Sequence, residues 1–189
     1  MARIAVTDGM SNDAIAILEN AGHEVVLRHH DAEEIANGSL AVFDAVVIRS
    51  ATKLYGEQIS ASANKSGGIR FIGRAGVGVD NIDIDEASKK GITVCNSPGA
   101  STRSVVELTI GRLIASARHI TTADRTLRNG VWAKKQLRGS EIGGKRLGLI
   151  GFGRISRGVA SIASSFGMEV HAFDPFVNEA PEGVQFHDD

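Results

Sequence analysis

The sequence predicts an α/β protein with parallel sheets, laid out as two successive α/β regions. Short apolar, β-branched runs recur every 20 to 26 residues through the first half of the chain. Helical patterns fill the intervals between them. A second strand–turn–helix–strand unit then opens near Lys145. Continuous apolar strands alternating with helices are the signature of a parallel sheet covered on both faces.

The runs are Ile4-Ala5-Val6, Val25-Val26-Leu27, Ala45-Val46-Val47-Ile48, Phe71-Ile72 and Ile92-Thr93-Val94-Cys95, giving five expected parallel strands within residues 1 to about 98. Ser11 is a suitable N-cap for Ala14, Ile15, Leu18 and Ala21, which share one helical face, and Gly22 closes that helix. Asp31 to Asn37, Glu57 to Lys65 and Asp85 to Lys90 are the next expected helices. Residues 101–129 hold no proline and no strand-like run. Val105, Leu108, Ile110, Leu113, Ile114 and Ala117 predict a long helix there, with His119 to Thr122 as the place for a break. A connection from Gly130 to Gly144 carries Trp132. Arg146 to Ile150 is a strand, Ile155 to Phe166 a helix, and Glu169 to Phe173 a strand ending at Asp174-Pro175, followed by a short polar tail.

Composition narrows the function. With 189 residues, 42% apolar and 23% charged, the chain is an ordinary globular protein. Lys plus Arg number 21 against 22 Asp plus Glu, a net charge of −1, so no nucleic-acid or membrane surface is expected. No apolar run approaches the roughly 20 residues of a membrane span. The N-terminus lacks the pattern of a signal peptide, and the single Cys95 cannot form an internal disulfide, so a cytoplasmic protein is expected. Cys95 itself reads as a buried small hydrophobe. Glycine stands out, with 22 residues against only 3 prolines, which points to tight turns and close ligand approach.

The element with the most chemistry is Gly151-Phe152-Gly153-Arg154-Ile155-Ser156, between a strand and a helix. Gly151 permits the tight turn, and Gly153 lets the backbone approach a pyrophosphate favoured by the helix start. Ser156 occupies the third small position, where it would hold helix and strand slightly apart. Asp174 lies 23 residues after Gly151, where a carboxylate bonds the ribose hydroxyls of a dinucleotide. Pro175, Phe176, Val177 and Asn178 supply no cation for a 2′-phosphate, so NAD is expected rather than NADP. A ligand-free βα turn and another adenosine ligand, such as S-adenosylmethionine, are the alternatives.

Two further segments carry a family resemblance. Ile72-Gly73-Arg74-Ala75-Gly76-Val77-Gly78-Val79-Asp80-Asn81-Ile82-Asp83 resembles the substrate-domain signature of the D-isomer-specific 2-hydroxyacid dehydrogenases. Asn96-Ser97-Pro98-Gly99-Ala100-Ser101, with Ser104 to Glu107, is similar to that family's crossover into the coenzyme domain. Arg49-Ser50-Ala51-Thr52 and Gly130-Val131-Trp132 are similar to its phosphoglycerate branch. The resemblance implies a flavodoxin-like substrate domain at 1–98 and the first half of a Rossmann NAD-binding domain at 99–189, with the reaction in the cleft between them.

It further implies that amides around Ala75, Gly76 and Val77 hold the substrate carboxylate and that Val77 also touches the coenzyme. Arg49 and Arg74 would add charge-assisted contacts. Gly151, Gly153, Arg154 and Ile155 would hold the pyrophosphate, and Asp174 the adenosine ribose. The helix starting near Ser101 would form a homodimer. The substrate would be a small anionic 2-hydroxy acid: 3-phosphoglycerate in the first step of serine synthesis, or a glyoxylate, hydroxypyruvate or lactate-type acid. A non-catalytic NAD-sensing protein is the rival. The family's catalytic arginine, glutamate and histidine fall beyond Asp189, so no catalytic residue is assigned, and the chain is expected to be an inactive fragment of a longer one.

The remaining features have plain readings. His29-His30 on a strand end point to opposite sides, so no metal site is expected. The other histidines pair with no serine or cysteine at a triad spacing. The basic run from Arg125 to Arg146 reads as a solvated connection rather than a device for steering anions. Asn37-Gly38-Ser39 and Asn64-Lys65-Ser66 match a glycosylation pattern by chance.

Overall fold

The computed structural model describes residues 1–63, 67–177, 179 and 181–188. The chain divides into two compact units, Met1–Ala100 and Ser101–Asp189. In the first, strands β1 (Arg3–Val6), β2 (Glu24–Leu27), β3 (Ala45–Ile48), β4 (Phe71–Arg74) and β5 (Thr93–Asn96) alternate with helices α1 (Asn12–Asn20), α2 (Ala32–Ala36), α3 (Gly56–Ser62) and α4 (Ile84–Lys89). Every pairing is parallel and the order is β2-β1-β3-β4-β5, the flavodoxin-like arrangement expected from the sequence. The central strands bury Ala5, Val46, Ile48 and Ile72 completely, and Ile35, Leu40 and Ile59 close over them. The helices start where short polar side chains take otherwise unpaired amides: Ser11 accepts from Ala14, Asp31 from Glu34 and Asp83 from Glu86. The helix expected from Glu57 ends at Ser62. The end of that expectation, at Lys65, lies outside the described residues, as does the Asn64-Lys65-Ser66 pattern.

Strand order reverses between β1 and β3, and there Thr7-Asp8-Gly9 and Arg49-Ser50-Ala51-Thr52 leave the sheet. Ligands of open parallel sheets bind outside the carboxyl ends of the strands at such a reversal. Cys95 is exposed rather than buried. It sits on edge strand β5, where Ile92 and Val94 face the core and Thr93 and Cys95 face away.

The second unit holds α5 (Thr102–Ala117), α6 (Ile120–Arg128), β6 (Arg146–Ile150), α7 (Arg154–Ser165), β7 (Glu169–Phe173) and β8 (Val184–Phe186). The long helix is in two pieces, because His119 adopts a left-handed conformation with φ 53°. The polar tail contains β8, a third parallel strand beside β7. Its Phe186 meets the wholly buried Phe152 edge-on, with ring centroids 5.1 Å apart. Helices α5 and α7 pack through Val106, Ile110 and Val159. A Cβ at Gly158 would lie 2.7 Å from Val106 Cγ2, so a glycine there lets α7 approach α5 closely. Among the described residues no helix is long and apolar enough to cross a membrane.

Two expectations follow from this packing. Gly158→Val should destabilise the second unit by about 1–3 kcal/mol through overpacking, measured by urea denaturation. Val106→Ala in the same chain should restore part of that loss, and strict additivity would disprove the contact. His30 is 3% exposed, shares a 2.9 Å hydrogen bond between Nδ1 and Ser39 Oγ, and its Nε2 has no partner among the described residues. Burial, helped by Arg28, holds its pKa below the ordinary imidazole value. The unfolded chain then takes up this proton at higher pH than the folded one. The stability from neutral His30 is full above about pH 6.5 and is lost as the pH falls toward the folded pKa. Denaturation between pH 7.5 and 5.5 should show this loss, and His30→Gln should flatten the slope.

Candidate functional site

In the second unit the site begins where β6 ends. Gly151 has φ 85°, a conformation that disfavours any side chain, and its amide donates to Phe173 O at 2.8 Å. Phe152 turns inward and is fully buried. Gly153 caps α7 with extended backbone and no side-chain bond. Nothing lies within 4 Å of a Cβ built on Gly153. The first-turn amides, including those of Arg154 and Ile155, therefore face open space at a helix start where the macrodipole favours an anion. Arg157 braces the turn from behind, donating from Nε to Phe152 O at 3.1 Å.

Asp174 faces this turn. Its Oδ2 accepts the Phe152 amide at 2.6 Å and its Oδ1 the Phe176 amide at 2.8 Å. The Phe152 bond first, and then the Phe176 bond, hold its carboxyl below the usual carboxylate range, so it is ionised at neutral pH. Each oxygen keeps a lone pair for a sugar hydroxyl. Beside it lies a cavity of about 400 Å³ lined by Phe173, Pro175, Val177, Phe186 and His187. His187 Nε2 also meets His171 Nδ1 at 2.8 Å, a pairing across β7 and β8 that the sequence pattern did not suggest.

In the first unit the loop after β4 departs from the expected cradle. The Ala75 amide donates to Ile48 O at 2.9 Å, continuing the ladder, and the Gly76 amide donates to Arg74 O at 2.8 Å. Both donors are taken within the protein. The next carbonyls are tied as well: Gly76 O accepts from the Ser97 amide at 3.0 Å, and Val77 O from Asn96 Nδ2 at 2.6 Å. A trans peptide points its N–H opposite its C=O, so the Val77 and Gly78 amides turn away from Ser97 and Asn96. Neither has a protein acceptor among the described residues. The Arg74 guanidinium occupies the space where a Cβ on Gly76 would stand, so a side chain there would displace it.

Three residues that the sequence reading did not single out hold this region. Asp8 Oδ2 accepts the amides of Arg49 at 2.7 Å and Thr52 at 3.0 Å, and its Oδ1 accepts the Thr52 hydroxyl at 2.6 Å. Buried Asn81 donates from Nδ2 to the carbonyls of Arg49 and Thr52, each at 2.8 Å. Its Oδ1 accepts Arg74 Nε at 3.4 Å. Burial pushes the Asp8 carboxyl up, but the Thr52 hydroxyl and the two amides together hold it below the usual range. The Arg49 side chain is exposed and its guanidinium has no partner among the described residues. Among those residues no cluster of metal-ligating side chains occurs.

The chain is similar to known proteins along nearly its whole length. Residues 4–180 match the family described as D-isomer specific 2-hydroxyacid dehydrogenase, catalytic domain. A hydroxypyruvate reductase of Thermotoga maritima is 43% identical over 98% of this chain and 60% of its own length. A D-3-phosphoglycerate dehydrogenase of Methanocaldococcus jannaschii is 43% identical over 100% of this chain and 36% of its own length. The crystal structure of the TT0316 protein from Thermus thermophilus superposes with a TM-score of 0.85 at 27% identity, over 98% of this chain and 59% of that one. The chain thus spans between about a third and three fifths of the relatives it matches. With the family match running from the first strand of one unit to beyond the carboxylate of the other, the chain belongs to the D-isomer-specific 2-hydroxyacid dehydrogenases.

Proposed function

We propose that this chain carries the coenzyme- and substrate-anchoring parts of an NAD-dependent oxidoreductase of 2-hydroxy acids, with 3-phosphoglycerate as substrate and 3-phosphohydroxypyruvate as product, at the start of serine synthesis. The observation that carries the reading is the turn at Gly151-Phe152-Gly153, closed by the Asp174 carboxylate. NAD, when bound, supplies the hydride acceptor. The chain's own part is to anchor: the Arg154 and Ile155 amides take the pyrophosphate, and Asp174 takes the ribose hydroxyls. An ionised Asp174 repels a 2′-phosphate, which favours NAD over NADP. Val77 and Gly78, rather than Ala75 and Gly76, offer amides to the substrate carboxylate, and Arg49 and Arg74 add cations. No residue here is assigned the acid–base step, and the chain alone should not turn over substrate.

The likeness to a hydroxypyruvate reductase favours a second reading, in which the substrate lacks the phosphate. Comparing 3-phosphohydroxypyruvate, hydroxypyruvate and glyoxylate, with NADH, in the enzyme that contains this chain separates the two. We also place a cytoplasmic homodimer on the face formed by α5, α6 and the connection, where Trp132 is 76% and Leu127 58% exposed.

Two measurements test these assignments. Asp174→Ala should weaken NAD and ADP binding by about 1–3 kcal/mol, the loss expected for a charge-assisted hydrogen bond; calorimetry showing unchanged affinity removes the ribose role. Leu127→Glu should shift the chain to monomer in sedimentation velocity, and an unchanged profile removes the dimer face.

A further inference from the structure

We propose that Asn81, together with Asp8, is a positioning residue for anion binding by the first unit, coupling the Arg49–Thr52 loop to the Arg74 guanidinium. The proposal rests on the substrate-loop reading above and names what makes that loop competent.

The same two residues of the loop are held at both of their main-chain groups. Asp8 takes the N–H of Arg49 and of Thr52, and Asn81 takes the C=O of each. A side-chain amide has two N–H donors and one oxygen. Asn81 uses both donors on the loop and leaves the oxygen for Arg74 Nε. An aspartate would turn a carboxylate oxygen toward two carbonyls, and an aliphatic residue would leave both carbonyls unpaired. Asn81 is 5% exposed, so water does not replace what it supplies.

The chain around it reinforces the link. Leu54 donates to Asn81 O at 2.9 Å and Asp83 donates to Leu54 O at 2.8 Å, a short parallel bridge that ties the end of the loop to the Asn81 segment. The backbone of Arg49 is thereby fixed while its guanidinium is free. Arg74 is anchored through Nε, which leaves Nη1 beside Gly76, the residue before the free amides of Val77 and Gly78 in the chain. One amide side chain and one carboxylate thus mount the two arginines, in the unit whose Val77 and Gly78 amides are oriented by Asn96 and Ser97. The ligand that fits is a small organic acid with one or two negative charges.

The test uses the full chain, labelled with ¹⁵N and titrated with 3-phosphoglycerate. Wild type should show saturable shifts at the Val77 and Gly78 amides. Asn81→Ala should weaken the affinity by about tenfold, the scale of one hydrogen bond to a charged group. Asp8→Ala is the second variant. It deletes a negative charge near an anion, which by itself tightens binding, so a weakened affinity there reports loss of positioning. Ile59→Val, a core change away from the loop, should lower the melting temperature and leave the affinity unchanged, which separates positioning from general stability. Wild-type affinity in either folded alanine variant overturns the proposal and leaves the loop reading intact. No shift at Val77 and Gly78 in wild type overturns both.

Discussion

Where a parallel strand ends, its last main-chain groups lose their ladder partners, and something must replace them. In this chain carboxylate and amide side chains do so, and the loops they hold form the candidate site. Asp8 and Asn81 secure the exit from β3, and Asp174 secures the exit from β6. Each side chain sits beyond the end of its own strand or in the loop after one, and reaches across to a neighbouring segment. The sheets therefore supply rigid posts, and the polar side chains set the direction in which each loop leaves. Without the Phe152 amide on Asp174, Gly151 would permit many turns rather than one.

The two units present unpaired amides by different means. In the second unit the donors are the unpaired amides of the first turn of α7, and the only requirement is that nothing cover them. In the first unit no long helix start is involved. The peptide groups after Gly76 are oriented by fixing their carbonyls on Asn96 and Ser97, which turns the following amides outward. Cations stand at both places: Arg49 and Arg74 in the first unit, and Arg154 and Arg157 at the turn in the second, where Arg157 is itself bonded to Phe152 O.

Local pattern made most of the fold legible. Strands β1, β3, β6 and β7 are dense in Val, Ile, Leu or Ala, and Ser11, Asp31 and Asp83 announce their helices. Strand β8 was not legible, because Val184-Gln185-Phe186 is too short to show a period and earns its pairing only from β7. Gly151 and Asp174 were legible because their spacing is fixed by one βαβ unit. Asp8, Thr52 and Asn81 were not: Asp8 meets Arg49 41 residues away, and Asn81 meets Thr52 29 residues away. An aspartate in Thr7-Asp8-Gly9 looks like any turn residue until the strand order places it beside β3. That the Ala75 and Gly76 amides bond within the protein was not legible either, since a glycine-rich string shows where a backbone is accessible and not which donors are already used. The close contact of α7 with α5 at Gly158 was not legible either, because Val106 lies 52 residues earlier in the chain.

The mounting of Arg49 has a consequence for how such a protein changes over time. Among the described residues, everything that holds Arg49 grips its peptide groups and nothing grips the atoms beyond its Cβ. A different side chain at that position would inherit the same stance and direction. The group displayed at this place can therefore change by single codon changes, at little cost in stability to the scaffold beneath.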